Sequence, residues 1–111
     1  MQIHEDRQGA VTTLRPIGPL VQKDAEHFRE RGLRAIAESR GRTVVDASGI
    51  AYVDSAGIEA LLDLADELGA AGASLKLCAA NETVREVLEV TEVGAAFEYF
   101  ADVSSAVRSY L

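Results

Sequence analysis

The sequence predicts an α/β fold: a mixed sheet of four to five strands with about four helices. Short β-branched or apolar runs alternate with longer segments whose apolar residues recur every three to four positions, which is typical of strands joined by helical crossovers. The chain also opens with two strand-like runs separated by only two residues, which indicates an antiparallel N-terminal hairpin. With 111 residues, it is predicted to form a single domain, residues 1–111.

The N-terminal hairpin is predicted from residues 1–7 and 10–17, with Gln8-Gly9 as its tight turn. The segment 16–19, in which two prolines flank a glycine, is expected to end the second strand because proline and glycine interrupt regular structure. The alternation of polar and apolar residues in this strand is loose, so it does not predict which residues pair across the hairpin.

A first helix is expected to begin at Asp24, a favourable N-cap, and to run to Arg40 before Gly41. Gly32 lies inside this segment and costs up to about 1 kcal/mol relative to Ala, which weakens the prediction of an unbroken helix. Four apolar residues are predicted to share its buried face: Phe28, Leu33, Ile36 and Ala37.

The middle of the chain predicts a buried strand, a connection and the strongest helix. Residues 43–47 are short, β-branched and apolar, as in a strand covered on both faces. Residues 48–53 are expected to connect it to a helix over 56–68, which Gly69 and Gly72 are expected to end. The apolar residues of that helix recur at helical spacing: Ile58, Leu61, Leu62, Ala65 and Leu68.

The last part of the chain repeats the alternation of strand and helix. A strand is predicted over residues 73–79 and a short one over 97–100. Between them, Asn81 is expected to cap a helix that stops near Gly94. Asp102 is expected to cap a final helix whose apolar residues are Val103, Val107 and Leu111.

Charge and composition exclude several classes of function. The formal net charge is −7, so the chain lacks the basic footprint of a nucleic-acid-binding protein. Eight basic and six acidic residues precede Asp46, whereas three basic and twelve acidic residues follow from Asp46 onward, so a charged partner is expected to be basic where it docks. The chain has no apolar run of about 20 residues that could insert into a membrane. The single Cys78 cannot form an intramolecular disulfide, which favours the cytoplasm.

The segment 44–58 carries the most information about function. It reads Val-Val-Asp-Ala-Ser-Gly-Ile-Ala-Tyr-Val-Asp-Ser-Ala-Gly-Ile: a buried strand, an aspartate, a short loop, and Asp54-Ser55 at the start of the strongest helix. This run resembles the signature of STAS domains (sulphate transporter and anti-sigma factor antagonist), in which Asp-Ser-x-Gly-Leu/Ile opens a helix. The order of elements along the whole chain is similar to that of the family, and the specific match is confined to this segment.

The resemblance implies an anti-sigma factor antagonist, a protein without enzymatic activity or cofactor. In such family members, a serine kinase that is also the anti-sigma factor phosphorylates the serine after the aspartate, which here is Ser55, and phosphorylation releases the complex. The exposed backbone N–H groups at a helix start are expected to tolerate the phosphate. The residues implied in partner binding are Asp54, Ser55, Ala56, Gly57, Ile58 and Glu59.

Structural explanations of the same residues remain open beside the functional ones. Ser55 alone would more often be an ordinary N-cap, and Asp54 could assist the helix start by its charge. Asp46 is expected to satisfy amides of the loop that follows it. Gly57 would let a partner approach closely.

The chain departs from the family pattern in two places. Many antagonists carry Gly-Glu-Leu-Asp after the second strand, where this chain has Gly18-Pro19-Leu20-Val21 and therefore lacks the acidic pair. Many members also have a second serine where Ala56 stands, so here Ser55 is the one hydroxyl of the motif.

Enzymatic alternatives find little support in the residues. The only histidines, His4 and His27, offer neither a base for a serine nucleophile nor a metal-ligand spacing. Cys78 lies in an apolar strand and is expected to be inert. No phosphate-binding loop of the Gly-x-x-x-x-Gly-Lys-Ser/Thr type is present, and the carboxylates lack the clustering that a Mg²⁺-dependent receiver domain needs.

Other clients of the same fold also stay open. STAS domains serve in stress-signalling assemblies and as accessory subunits of membrane transporters, and a weak homodimer is compatible with the sequence.

Overall fold

Strands and helices alternate along the chain in the computed structural model, which describes residues 1–111. The strands are β1 (Gln2–Gln8), β2 (Val11–Ile17), β3 (Thr43–Asp46), β4 (Leu75–Cys78) and β5 (Phe97–Phe100). The helices are α1 (Gln22–Ser39), α2 (Ser55–Ala70), α3 (Glu82–Val90) and α4 (Val103–Arg108), and there are two short 3₁₀ turns, Ala47–Gly49 and Gly94–Ala96. The predicted α/β class, with five strands and four helices, is confirmed.

The strands form one mixed sheet whose spatial order follows the chain, β1-β2-β3-β4-β5. β1 and β2 pair antiparallel from Gln2 opposite Ile17 to Gln8 opposite Val11, which confirms the predicted hairpin. The turn is formed by Gly9-Ala10 rather than by the predicted Gln8-Gly9, because Gln8 still pairs with Val11 and Gly9 takes the left-handed φ of 61°. The remaining neighbours all pair in parallel. Because parallel neighbours require crossover connections, α1, α2 and α3 link successive strands.

Two apolar cores lie on opposite faces of the sheet. The larger one contains side chains of α1, α2 and α3 with alternate residues of the strands, such as Val45 and Leu77. The smaller one is closed by α4, whose Ala106 and Val107 pack with Val11, Val44 and Cys78. The last helix therefore covers a face of the sheet that the crossover helices leave open.

Gly32 lies where α1 approaches α2 most closely, and α1 continues through it without a break. A Cβ atom at this position would come within 2.5 Å of the Leu64 side chain. Glycine lowers the intrinsic stability of a helix, but here it allows close packing of α1 against α2. The predicted helix is therefore unbroken at Gly32.

The start of α1 differs from the prediction. The helix begins at Gln22 with Val21 as N-cap, and Asp24 lies within the first turn, so Asp24 is not the cap. The Asp24 carboxylate instead accepts a hydrogen bond from the N-terminal ammonium group of Met1 at 3.2 Å. Asp24 is thus used by a residue far along the chain, which a local capping rule does not anticipate.

Other expectations for helix faces and ends also need correction. Ala37 is exposed, because α1 turns it away from the sheet. α2 passes through Gly69 and ends at Ala70, with Gly72 at a positive φ of 79° just beyond. α4 ends at Arg108, so Leu111 is 98% exposed and does not belong to the core.

β4 and the helix that follows it are shorter than predicted. β4 covers residues 75–78 rather than 73–79, while β5 matches the predicted 97–100. α3 ends at Val90, ahead of Gly94, because Glu92 adopts a left-handed backbone with φ of 61°. The predicted caps Asn81 and Asp102 are confirmed. None of the helices is long and apolar enough to cross a lipid bilayer.

Candidate functional site

The candidate site lies where β3 gives way to α2, at the carboxyl end of the parallel strands. A 3₁₀ turn and a short loop connect the two elements, and buried Ile50 and Val53 fix the loop to the core. Val53 also forms a parallel bridge with Leu20, which leads into α1. The sheet therefore brings the starts of α1 and α2 together at this edge.

Asp54 joins the two helix starts through its carboxylate. Oδ1 accepts a hydrogen bond from the Gly57 N–H and Oδ2 accepts one from the Gln22 N–H, both at 2.9 Å. Val21, the N-cap of α1, supplies no side-chain acceptor of its own, so Asp54 takes over that role. The same carboxylate thus caps two helices that begin 33 residues apart in the sequence.

Hydrogen bonding also sets the charge state of Asp54. The Gly57 N–H is the largest influence, with the Gln22 N–H contributing in the same direction, and together they hold the pKa of Asp54 below its usual value. The carboxylate is therefore ionised at neutral pH. Asp54, rather than Ser55, is the N-cap of α2.

Ser55 is the first residue of α2, and its side chain is exposed. Its hydroxyl makes no hydrogen bond within the protein. Because the cap is provided by Asp54, the hydroxyl is free for an external group. The N–H of Gly57 is occupied by Asp54, so the first turn offers a phosphate fewer backbone donors than the sequence suggests.

The other residues implied in partner binding divide between surface and core. Glu59 is exposed and Ala56 is partly exposed, whereas Gly57 and Ile58 are buried. A Cβ atom at Gly57 would overlap with the carbonyl oxygen of Leu20. The close approach that glycine allows is therefore made by the chain itself, and not left open for a partner.

Asp46 stabilises the turn that follows β3. Its Oδ1 atom accepts a hydrogen bond from the Ser48 N–H at 3.0 Å, and Oδ2 lies 3.9 Å from Nε of Arg15. These contacts are within the scaffold that carries the loop to Ser55, so the geometry gives Asp46 a structural part at the site.

Two residues of the site were not identified from the sequence as part of it. The amide of Asn81, expected only to cap α3, also donates hydrogen bonds at 3.1 Å to the carbonyls of Ile50 and Ala51. Tyr52, between these carbonyls and Asp54, is 50% exposed. A large aromatic residue in a connecting loop is a usable signal for an interface, whereas no local pattern could reveal the second role of Asn81.

A shallow groove of about 220 Å³ separates α1 from α2 beside the site. Its charged side chains are Glu26, Arg29, Glu59 and Asp63. Arg29 forms an ion pair with Asp63 at 2.9 Å and another with Glu26 at 3.6 Å. The only cation of the groove is therefore already paired, and the groove carries an acidic excess.

The groups weighed for enzymatic roles lie elsewhere. His4 on β1 and His27 on α1 are both exposed and belong to other parts of the surface. Cys78 is fully buried, and burial raises the pKa of its thiol to about 12, with the charges of Asp46 and Asp102 acting in the same direction. No group of three or more His, Cys, Asp or Glu side chains is arranged to hold a metal ion.

Comparisons with known proteins agree with this fold. The Thermotoga maritima protein TM1081 superposes with a TM-score of 0.87 at 18% identity, covering 96% of this chain and 92% of that one. An anti-sigma-factor antagonist (STAS) domain protein from Planctomyces limnophilus gives 0.82 at 20% identity, with 96% of each chain covered.

The third comparison is with the anti-sigma factor antagonist SpoIIAA in its unphosphorylated form. It gives a TM-score of 0.78 at 20% identity and covers 98% of this chain and 96% of that chain. No curated protein sequence matches the chain. The family model described as "STAS domain" matches residues 2–106, nearly the whole chain, and the protein therefore belongs to the STAS domain family.

Proposed function

We propose that this STAS domain is an anti-sigma factor antagonist that binds a serine kinase/anti-sigma factor at the start of α2 and releases it when Ser55 is phosphorylated. The observation that carries the proposal is the exposed, unbonded hydroxyl of Ser55 at the first position of α2, within the Asp54–Ile58 motif. The fold likeness to an unphosphorylated anti-sigma factor antagonist supports it. Such a partner and its sigma factor operate in the cytoplasm.

The docking surface in this proposal consists of the exposed residues around Ser55. Tyr52 lies just before it, and Glu59 lies one helical turn after it on α2. Asp63 and Glu26 extend the acidic surface along the neighbouring groove. A partner with a basic surface and an apolar pocket for Tyr52 would complement these features. Gly57 and Ile58 support this surface from inside.

Phosphorylation would act mainly by charge. A phosphate on Ser55 adds roughly −1.5 to −2 charges at neutral pH. It would stand next to the ionised Asp54 carboxylate, and Arg29, the cation of the adjacent groove, is already engaged by two carboxylates. Arg29 is therefore not free to act as a counter-charge, and the phosphate would remain exposed to a docking partner. Each 1.4 kcal/mol of repulsion or desolvation lowers the affinity about tenfold.

The segment Gly18–Val21 bears on the choice of partner. The acidic pair that many antagonists carry here is absent, and Asp54 performs the capping of α1 that a residue at position 21 would otherwise provide. Within the segment 54–59, the negative charge is thus carried by Asp54 and Glu59. A partner selected by this protein should place its basic groups towards the start of α2.

The proposal is tested with the kinase/anti-sigma protein encoded next to this gene. Wild type and Ser55→Ala should bind it with similar affinity, while Ser55→Asp should bind at least about tenfold more weakly. Incubation with this kinase and ATP should add a single phosphate to the wild type and none to Ser55→Ala. Isothermal titration calorimetry and intact-mass spectrometry measure the two effects.

A matched control separates a local effect from added charge in general. Ser104 is exposed on α4, away from the start of α2, so Ser104→Asp should bind as the wild type does. Equal binding by Ser55→Asp and Ser55→Ala would show that the switch does not operate at Ser55.

A further inference from the structure

A second charged feature lies at the opposite edge of the sheet, below the amino ends of the parallel strands. A depression of about 300 Å³ forms between the β1–β2 turn and the connection from α1 to β3. Three arginines line it, Arg7, Arg40 and Arg42, together with the polar residues Thr12 and Ser39 and one acid, Glu38. We refer to it as the arginine pocket.

Strand pairing brings the arginines together. Arg7 lies directly opposite Thr12 in the antiparallel hairpin. The N–H of Thr12 donates a hydrogen bond to the carbonyl oxygen of Arg42 at 2.9 Å on the other side. Arg40 reaches the same place from the end of α1. The pocket is thus built by two paired strands with their turn, by the end of α1 and by the connection to β3, and not by one segment alone.

None of the three arginines forms an ion pair within the protein. Four other basic residues do lie within 4.0 Å of a carboxylate oxygen: Arg15, Arg29, Arg31 and Lys76. Arg34, Arg85 and Arg108 also lack an ion pair, but they belong to three different helices, whereas Arg7, Arg40 and Arg42 line one depression. Three unpaired guanidinium groups around one depression therefore leave a concentrated positive charge on a negatively charged protein.

The side chain of Arg40 has no part in closing the end of α1. Arg40 has a φ of 55°, a left-handed conformation in which glycine or asparagine is the usual residue at a helix end. Its N–H and that of Gly41 hydrogen-bond to the last carbonyls of α1, at Ala37 and Ile36. The helix end is therefore closed without any use of the Arg40 side chain.

We propose that the arginine pocket binds a small ligand through a phosphate group. Three guanidinium groups and the Glu38 carboxylate give the pocket a formal charge of +2, which matches a phosphate monoester dianion. Guanidinium groups bind phosphate oxygens through paired, charge-assisted hydrogen bonds. The ligand is small, because a longer polyanion would extend over a surface whose net charge is −7. This site is separate from Ser55 and does not depend on the proposed switch.

The proposal is tested by titrating the ¹⁵N-labelled full-length protein with inorganic phosphate, pyrophosphate and ribose 5-phosphate. Sodium chloride keeps the ionic strength constant. Saturable amide shifts are expected for residues 7–12 and 38–43 and not for the start of α2. Binding of inorganic phosphate alone would identify the free ion as sufficient, and tighter binding of ribose 5-phosphate would point to an organic phosphate.

Two variants test the role of the arginines. Arg40→Asn should weaken binding of the best probe about tenfold, since one charged contact is lost. Its unfolding midpoint should be kept or raised, because asparagine adopts the left-handed conformation more readily. Arg7→Gln, on the exposed strand β1, should weaken binding to a similar extent.

The control is Arg34→Gln, which removes an exposed, unpaired arginine of α1 outside the pocket. It should bind the probe within about twofold of the wild type. The proposal is overturned if none of the three probes binds more tightly than chloride, or if Arg34→Gln loses as much affinity as Arg40→Asn.

Discussion

Asp54 and Gly57 together determine where the Ser55 hydroxyl stands. The carboxylate of Asp54 holds the first turn of α2 through the Gly57 N–H, and the missing side chain of Gly57 leaves room for the Leu20 carbonyl. One residue thus supplies an acceptor and the other supplies space. The position of Ser55 depends on both residues, although the buried Gly57 need not itself contact a partner.

Gly57→Ala is therefore expected to destabilise the protein by about 1–3 kcal/mol, since the added methyl group would overlap with backbone that cannot easily move. Gly69→Ala in the same helix is the matched control, because no atom lies within 4 Å of a Cβ there. That change should stabilise by about 0.5–1 kcal/mol. Urea unfolding monitored by circular dichroism measures both, and equal effects of the two substitutions would contradict this account.

At the scale of elements, the amino end of α3 is tied to the loop that leads to Ser55. The side-chain oxygen Oδ1 of Asn81 accepts a hydrogen bond from the Val84 N–H at 2.8 Å, while its side-chain amide donates to the Ile50 and Ala51 carbonyls. On the other side of the loop, the Leu20 N–H donates to the Tyr52 carbonyl at 2.9 Å. The loop is therefore held from two elements, and Tyr52 is presented on a restrained backbone.

Substitutions at Asn81 should separate its two roles. Asn81→Ala loses the cap and both donated bonds and should cost about 1–3 kcal/mol. Asn81→Asp keeps the cap acceptor but no longer donates, so it should lose less stability while still loosening the loop. Hydrogen exchange of the Leu20 amide, which depends on the loop through the Tyr52 carbonyl, should rise in both variants. An unchanged exchange rate in Asn81→Asp would show that the donated bonds do not restrain the loop.

For the whole molecule, the six-residue helix α4 and the residue Tyr110 close the second face of the sheet. The Tyr110 hydroxyl donates to the carbonyl of Thr43 at 2.9 Å, and the Lys76 ammonium group lies 4.5 Å from the centre of its ring. Beneath α4 lies the fully buried Cys78. A short C-terminal segment thus protects a core that the three crossover helices do not reach.

The reactivity of Cys78 should report on this closure. With a thiol pKa of about 12 and no exposed surface, Cys78 should resist Ellman's reagent at pH 8 in the folded wild type and react after unfolding in urea. Tyr110→Ala should raise the reaction rate in the folded protein at least about tenfold by loosening α4. Tyr52→Ala, at an exposed loop position, serves as the control and should leave the rate unchanged.

Local sequence signals were sufficient for the class of fold, the order of its elements, the presence of the hairpin and the caps at Asn81 and Asp102, because each depends on residues within a few positions of one another. They did not predict the start of α1, since its cap comes from Asp54, 32 residues away. Likewise, the clearance between Gly57 and Leu20 and the close contact of Gly32 with Leu64 exist only once the helices pack. The family motif identified Ser55 as the residue of interest, but only the tertiary structure decided that its hydroxyl is exposed, because α2 packs with Gly57 and Ile58 against the rest of the chain and so leaves Ser55 facing solvent.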